Sequence, residues 1–193
     1  MILVNAHHAL VATQSRSAIN FSLLLLRFLV GAIFLAHGIN HIFRGGKIAG
    51  TGRWFESLGM KPGVLHAWMA SLTEIGAAAL LFLGLLTPFA GAGVVGVMLV
   101  AWITNHRGKG FFVFHRPTEG WEYVMTLTFL GVVIGALGPG HWSIDGHVHA
   151  LRQLWGWPGF AISAGGGGLG ALLLLAVYWR PPKPVTESET AAG

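Results

Sequence analysis

Five apolar runs dominate the chain, at approximately residues 20–43, 65–86, 88–106, 119–138 and 159–179. A helix needs about 20 such residues to cross roughly 30 Å of hydrocarbon. Only helices and closed barrels satisfy their own backbone groups in lipid, and these runs are continuous rather than alternating, so they predict helices. Thr87-Pro88 predicts a tight turn between the second and third spans. Gly138-Pro139-Gly140 ends the fourth, and the run Gly165–Gly168 lies inside the fifth, where it predicts a kinked or loosened turn. The segment "TGRWFESLGM" reads as a short interfacial helix. Residues 1–19 lack the basic start and unbroken apolar core of a signal peptide and read as a short tail. Residues 181–193 are polar and proline-bearing and read as a disordered tail. The expected fold class is therefore an all-α polytopic membrane protein.

Composition agrees with this pattern. The chain is 53% hydrophobic and 10% charged, with mean hydropathy +0.64. A soluble domain carries about 25% charge to cover its outside, so lipid is the expected solvent for much of this surface. With no cysteine, disulfides and thiol redox centres are excluded. The net charge of +5 requires no nucleic-acid partner, because basic residues collect in the cytoplasmic loops of membrane proteins. Here Arg44, Lys47, Arg53, Lys61, Arg107, Lys109, Arg116, Arg180 and Lys183 fall on one side and Arg16 and Arg152 on the other. That bias predicts loops 44–64 and 107–118 and the C-terminus in the cytoplasm, with the N-terminus outside a plasma (inner) membrane. Trp142, Trp155 and Trp157 suit the outer interface, and Trp54 and Phe55 the inner one.

Within the first span lie Arg27, His37 and His41, each costly in a bilayer. At 100° per residue, Gly31, Phe34, Gly38 and His41 fall within about 40° of Arg27, and His37 within about 80°. In the second span Ala67, Ala70, Ser71, Glu74, Ala77 and Ala78 share a small-residue face that lets another helix approach closely. Glu74 is expected near mid-membrane, partnered by Arg27 or by a histidine of the first span. With the outer ends of the helices aligned, Arg27 and Glu74 are separated by about 8 Å along the axis. The pair reads either as a structural register element or as a proton-handling carboxylate tuned by the arginine. His37, His106 and Glu122 are expected at similar depths near the cytoplasmic end, lining one connected pocket open to that side, with His41 close to the same end. Histidines there also serve simply as interfacial groups bonded to loop carbonyls or headgroups. Three imidazoles and a carboxylate could bind a metal, but the ligand spacing is generic, so no metal is assigned.

Four stretches, "RFLVGAIFLAHGINHIF", "SLTEIGAAALLFLGLLTPFAG", "NHRGKGFFVF" and "GPGHWSIDG", resemble in this order the DoxX family of small bacterial membrane proteins. The resemblance spans residues 20–146 and implies a four-helix membrane core. Residues 147–180 then supply an outer loop and an additional fifth transmembrane helix. The family is named for its similarity to a membrane subunit of thiosulfate:quinone oxidoreductase, so the resemblance implies an association with quinone or redox chemistry. It also implies that Arg27, His37, Glu74 and His106 occupy the family's polar intramembrane positions. Two positions depart from the family pattern: His41 stands where lysine is often found, and His141 where arginine often precedes "WS".

The expected function is a small membrane subunit associated with redox metabolism. It would bind a quinone or similar lipid-soluble molecule in a pocket of Arg27, His37, His41, Glu74, His106 and Glu122. No flavin, haem or iron–sulfur ligand set is visible in the sequence, so an electron donor implies an oxidoreductase partner subunit and leaves catalysis by this chain unassigned. The alternative is a non-redox small-solute or proton pathway, or an assembly scaffold, which an intramembrane Arg/Glu/His series also fits.

Overall fold

The computed structural model describes residues 2–114 and 119–182, with side chains from Gln14 onward. The helices are α1 (Ile2–Phe43), α2 (Lys47–Ser57), α3 (Gly63–Leu83), α4 (Thr87–Ala101), α5 (Glu122–Leu137), α6 (His149–Arg152), α7 (Trp157–Phe160) and α8 (Gly167–Tyr178). Five-residue and six-residue π-helical stretches continue α4 over Trp102–His106 and join α7 to α8 over Ala161–Gly166. Among the described residues no sheet forms. The chain is an all-α polytopic membrane protein. Among the described residues, four helical segments are long and apolar enough to cross a bilayer: Gln14–Phe43, Gly63–Leu83, Thr87–His106 and Trp157–Tyr178. α5 is apolar but shorter, at 16 residues.

The loosened turn expected in the last span is present as the π-helical stretch that ends at Gly166. The interfacial segment also forms a helix, α2, which starts earlier, at Lys47. The reading of residues 1–19 as a tail differs from the structure, in which α1 is helical from Ile2 onward. The segment contains neither proline nor glycine, so nothing in it interrupts a helix already nucleated by the apolar run. Of the tail expected at residues 181–193, residues 183–193 lie outside the described residues.

Register between α1 and α3 follows from two close approaches. A Cβ on Gly31 would lie 2.8 Å from the Phe82 ring, and one on Gly38 would lie 2.7 Å from Ile75 and 3.0 Å from the Ser71 carbonyl oxygen. Only a hydrogen at position 38 leaves room for the α3 backbone. On α3 the facing stripe is buried, with Ala67, Ser71, Glu74, Ala77, Ala78 and Leu81 all inward. Helix α4 runs through the centre of the bundle and packs on α3, α5 and α8. The far end of α8 is tied to the α2–α3 connection. Arg180 N donates to the Gly59 carbonyl at 2.9 Å, and Trp179 Nε1 donates to the Leu58 carbonyl at 2.9 Å. The last span thus ends at the same end of the bundle as α2, and α8 becomes a wall of the interior beside it.

Gly38→Val tests this register. Overpacking a fitted contact costs about 1–3 kcal/mol. The variant should lower the thermal midpoint of the detergent-solubilised protein, and an unchanged midpoint would refute the close approach of α1 and α3.

Candidate functional site: a buried lock and a polar-walled cavity

The intramembrane polar groups separate into two sites. At the end of the bundle opposite α2, the Arg27 side chain is buried, with 1% of its surface exposed. Its Nη1 donates to the Leu81 carbonyl at 2.7 Å and its Nη2 to the Trp142 carbonyl at 2.8 Å. The last carbonyls of a helix have no partner within it and carry the negative end of the helix dipole, so a guanidinium suits the α3 C-terminus. Asp145 does the converse at the next helix. Its Oδ1 accepts from Leu86 N at 2.8 Å and its Oδ2 from Thr87 N at 2.9 Å, at the start of α4. The same loop adds backbone bonds from Ile144 N to Leu83 O and from Asp145 N to Gly84 O. Gly84 has φ +59°, and a Cβ there would lie 2.4 Å from Ser143 and 2.7 Å from the guanidinium, so the turn requires glycine. The "GPGHWSIDG" stretch is therefore the strap that closes the α3–α4 turn.

The expected Arg27–Glu74 pair is not formed. Gly31 against Phe82 and Gly38 against Glu74 set the register, which places Arg27 about 17 Å along the axis from Glu74 by the helical rise. No arginine side chain covers that distance. The sequence estimate aligned the outer ends of the two helices. In the structure α1 runs well past the α3–α4 turn, and the 138–148 loop fills the recess, with His141 N donating to Asn20 Oδ1 at 2.9 Å. Glu74 instead faces a histidine of the first span: its Oε2 lies 3.2 Å from His41 Nδ1.

The second site is a cavity of about 590 Å³ at the α2 end, walled by α1, α2, α3, α4 and its π-helical continuation, the start of α5, and α8. Its walls are mostly apolar or glycine, including Met60, Met69, Met98, Val97, Gly96 and Gly170. Polar groups enter from few places. Burial deepens along the histidine wall: His37 is exposed, His41 is intermediate and Glu74 is 3% exposed. Tyr123 Oη and His37 Nε2 are 3.2 Å apart. Ligating atoms of His37, His41 and Glu74 all lie within 4.8 Å of one another.

Of the six residues anticipated for the pocket, the structure places His37, His41, Glu74 and His106 on this cavity. His106 Nδ1 lies 3.0 Å from the Glu119 carbonyl oxygen, and its Nε2 lies 3.3 Å from the Asn105 side-chain nitrogen. Arg27 belongs to the lock instead. Glu122 is not on the cavity wall; its Oε2 accepts from Val113 N at 3.3 Å, so it holds the loop that precedes α5. Three residues escaped the sequence reading. His66 lines the cavity, is 3% exposed, and has no hydrogen-bond partner at Nε2. Its position eight residues before Glu74, about 80° away on the helix, was the available signal. Tyr123 sits one residue after Glu122, and Asp145 is the only acid in its loop; neither carries a local motif.

Double-mutant cycles separate the two sites. Coupling of about 0.5–3 kcal/mol is expected for His41 with Glu74 and for Arg27 with Asp145, and none for Arg27 with Glu74. Alone, Asp145→Asn should cost about 1.5–3 kcal/mol, the range for hydrogen bonds to a charged group, measured by unfolding in detergent. A substantial Arg27–Glu74 coupling would contradict this register.

Comparison with known proteins agrees with this architecture. The DoxX family profile matches residues 22–107, from α1 to the end of α4 and its π-helical continuation. An uncharacterized membrane protein of Mycobacterium tuberculosis, Rv3486, is 30% identical over 135 residues, covering 64% of this chain and 79% of the relative. No solved structure matches. The matched segment contains both the arginine of the lock and the His37, His41 and Glu74 wall of the cavity, and the chain belongs to the DoxX family.

Proposed function

We propose that this protein binds a lipid-soluble molecule with a polar headgroup, of the quinone class, in the cavity at the α2 end, as a small membrane subunit of redox metabolism. The observation that carries the reading is the cavity itself. Ligand sites for small molecules are typically about 300–1,000 Å³, largely apolar, with a few convergent polar groups. This one is about 590 Å³ and mostly apolar, with His37, His41 and Glu74 on one wall, His66 beside them on α3, and Asn105, His106 and Tyr123 at the α4–α5 side. Apolar walls suit a prenyl chain or ring face, and imidazole and carboxyl groups suit carbonyl or hydroxyl oxygens. Quinone reduction also consumes protons. Tyr123, His37, His41 and Glu74 form a short series of groups able to pass them. Electrons would come from a partner oxidoreductase, because a chain without cysteine supplies no thiolate ligand for an iron–sulfur cluster.

The same proton-capable series also fits a proton pathway without redox chemistry, and a liposome assay separates the two readings. A protein that dissipates a proton gradient without any quinone favours the pathway. For the quinone reading, lipid extraction of protein purified from its native membrane should recover a quinone, and a short-chain quinone analogue should bind in calorimetry. Gly170 lines the cavity, and a Cβ there would meet nothing within 4 Å. Gly170→Phe should therefore fill the space and weaken binding at least about tenfold, or about 1.4 kcal/mol, while leaving the fold intact. Unchanged affinity in that variant would refute the site.

For placement, the reading takes the α2 end as cytoplasmic in a plasma membrane, with the N-terminus outside. The basic bias of loops 44–64 and 107–118 supports this. Reporter fusions after residues 64 and 182 should both report cytoplasm. A periplasmic signal at either would overturn the orientation.

A further inference from the structure

We infer that His37, His41 and Glu74 form a binding site for a divalent transition-metal cation of the zinc, iron(II) or cobalt(II) class, set in the wall of the cavity. This goes beyond the ligand reading and requires no quinone. Residues four apart on a helix present their side chains on one face, the arrangement by which two histidines take a single metal ion. Gly38 lies between His37 and His41 on α1, and its missing side chain brings the α3 backbone close enough to insert Glu74 beside them. The three ligating atoms then lie within 4.8 Å of one another.

The contact between His41 and Glu74 is the second observation. His41 Nδ1 and Glu74 Oε2 are 3.2 Å apart, yet neither atom has a hydrogen-bond partner, although both are buried. They lie side by side rather than donor to acceptor. Two ligands bound tetrahedrally at about 2.0–2.2 Å from one ion are about 3.3–3.6 Å apart, so this edge is already close to the spacing of a coordination sphere. The 97% burial implied by the 3% exposure of Glu74 makes an unsatisfied carboxylate oxygen expensive, and a cation removes that cost. Two imidazoles and one carboxylate favour zinc-class ions over calcium or magnesium, which take oxygen ligands. Three protein ligands leave the remaining positions to the cavity, and His37, exposed at one side, provides the way in. The sequence reading weighed His106 and Glu122 with the same histidines; in the structure the carboxylate comes from α3 instead.

The test uses the full chain, purified in detergent with a histidine-free affinity tag, stripped with chelator and titrated with Co²⁺ alone. The wild type should take up one equivalent with the visible absorption of a low-coordinate Co²⁺ site. Glu74→Gln and His37→Ala should weaken that uptake by about a hundredfold or more, at least the loss that removal of a supporting group produces. His41→Lys keeps a cation beside Glu74 but has no lone pair to offer while charged, so it should remain folded by circular dichroism and lose the cobalt band. His149→Ala, exposed at the start of α6 at the other end, should leave the band unchanged. A wild type without the band overturns the inference, as does a band that survives in His41→Lys or disappears in His149→Ala. Quinone affinity does not enter the assay, so its failure leaves the ligand reading standing, and the reverse also holds.

Discussion

A guanidinium inside hydrocarbon must find its acceptors within the protein, and the bundle is arranged around that requirement. Arg27 cannot reach water, and an uncompensated buried charge is strongly destabilising. Its acceptors are carbonyls with lone pairs to spare: Leu81 O at the end of α3, which also accepts from Gly84 N at 3.2 Å, and Trp142 O in the strap. The same strap sends Asp145 to the free N–H groups that begin α4. Each group thus resolves the other's deficiency, with positive charge at a helix C-terminus and negative charge at an N-terminus. A turn recessed beside a longer α1 can exist in a membrane because non-helical backbone there is buried in protein.

This lock has a consequence about 17 Å away. By holding the α3–α4 turn level with Arg27, it sets the register of α3 on α1, and the register puts Glu74 opposite Gly38. A shift of one residue on either helix would rotate its side chains by about 100° and remove Glu74 from the histidine face. The His37, His41 and Glu74 wall therefore depends on a lock of Arg27 and Asp145 that shares no residue with it. The tether from Trp179 and Arg180 to the α2–α3 connection acts similarly for the opposite wall by keeping α8 against the cavity.

How far the sequence revealed this follows from which forces are local. The apolar runs exceed bilayer thickness or nearly so, and composition alone then demands helices; the small-residue face of α3 was readable because burial in a bundle follows the helical period. The pairing of Arg27 was not readable. It depends on how far α1 overhangs the α3–α4 turn, and no residue encodes that overhang locally. Glu122 looked equivalent to Glu74 by depth, but it lies at the first residue of α5, where a carboxylate serves the preceding loop. Asp145 and Tyr123 act through partners 58 and 86 residues distant in sequence, which periodicity cannot supply.

The separation of lock from cavity also bears on what the DoxX architecture can tolerate. Arg27, Gly84 and Asp145 are constrained by backbone groups, whose chemistry is the same in any sequence, so these positions have few substitutes. The cavity wall is less uniformly constrained. At Gly170 a Cβ would meet nothing within 4 Å, whereas at Gly167 it would lie 2.6 Å from the Ala92 carbonyl oxygen, so only part of the wall can change size freely. His41 is the instructive case. A lysine there could still pair electrostatically with Glu74 across the α1–α3 contact, so the bundle alone does not require an imidazole at this position. An imidazole does what an ammonium cannot: it accepts as well as donates, and it ligates. The α1–α3 contact thus asks position 41 for a group that can pair with Glu74, and within that constraint the imidazole is the choice that can also ligate.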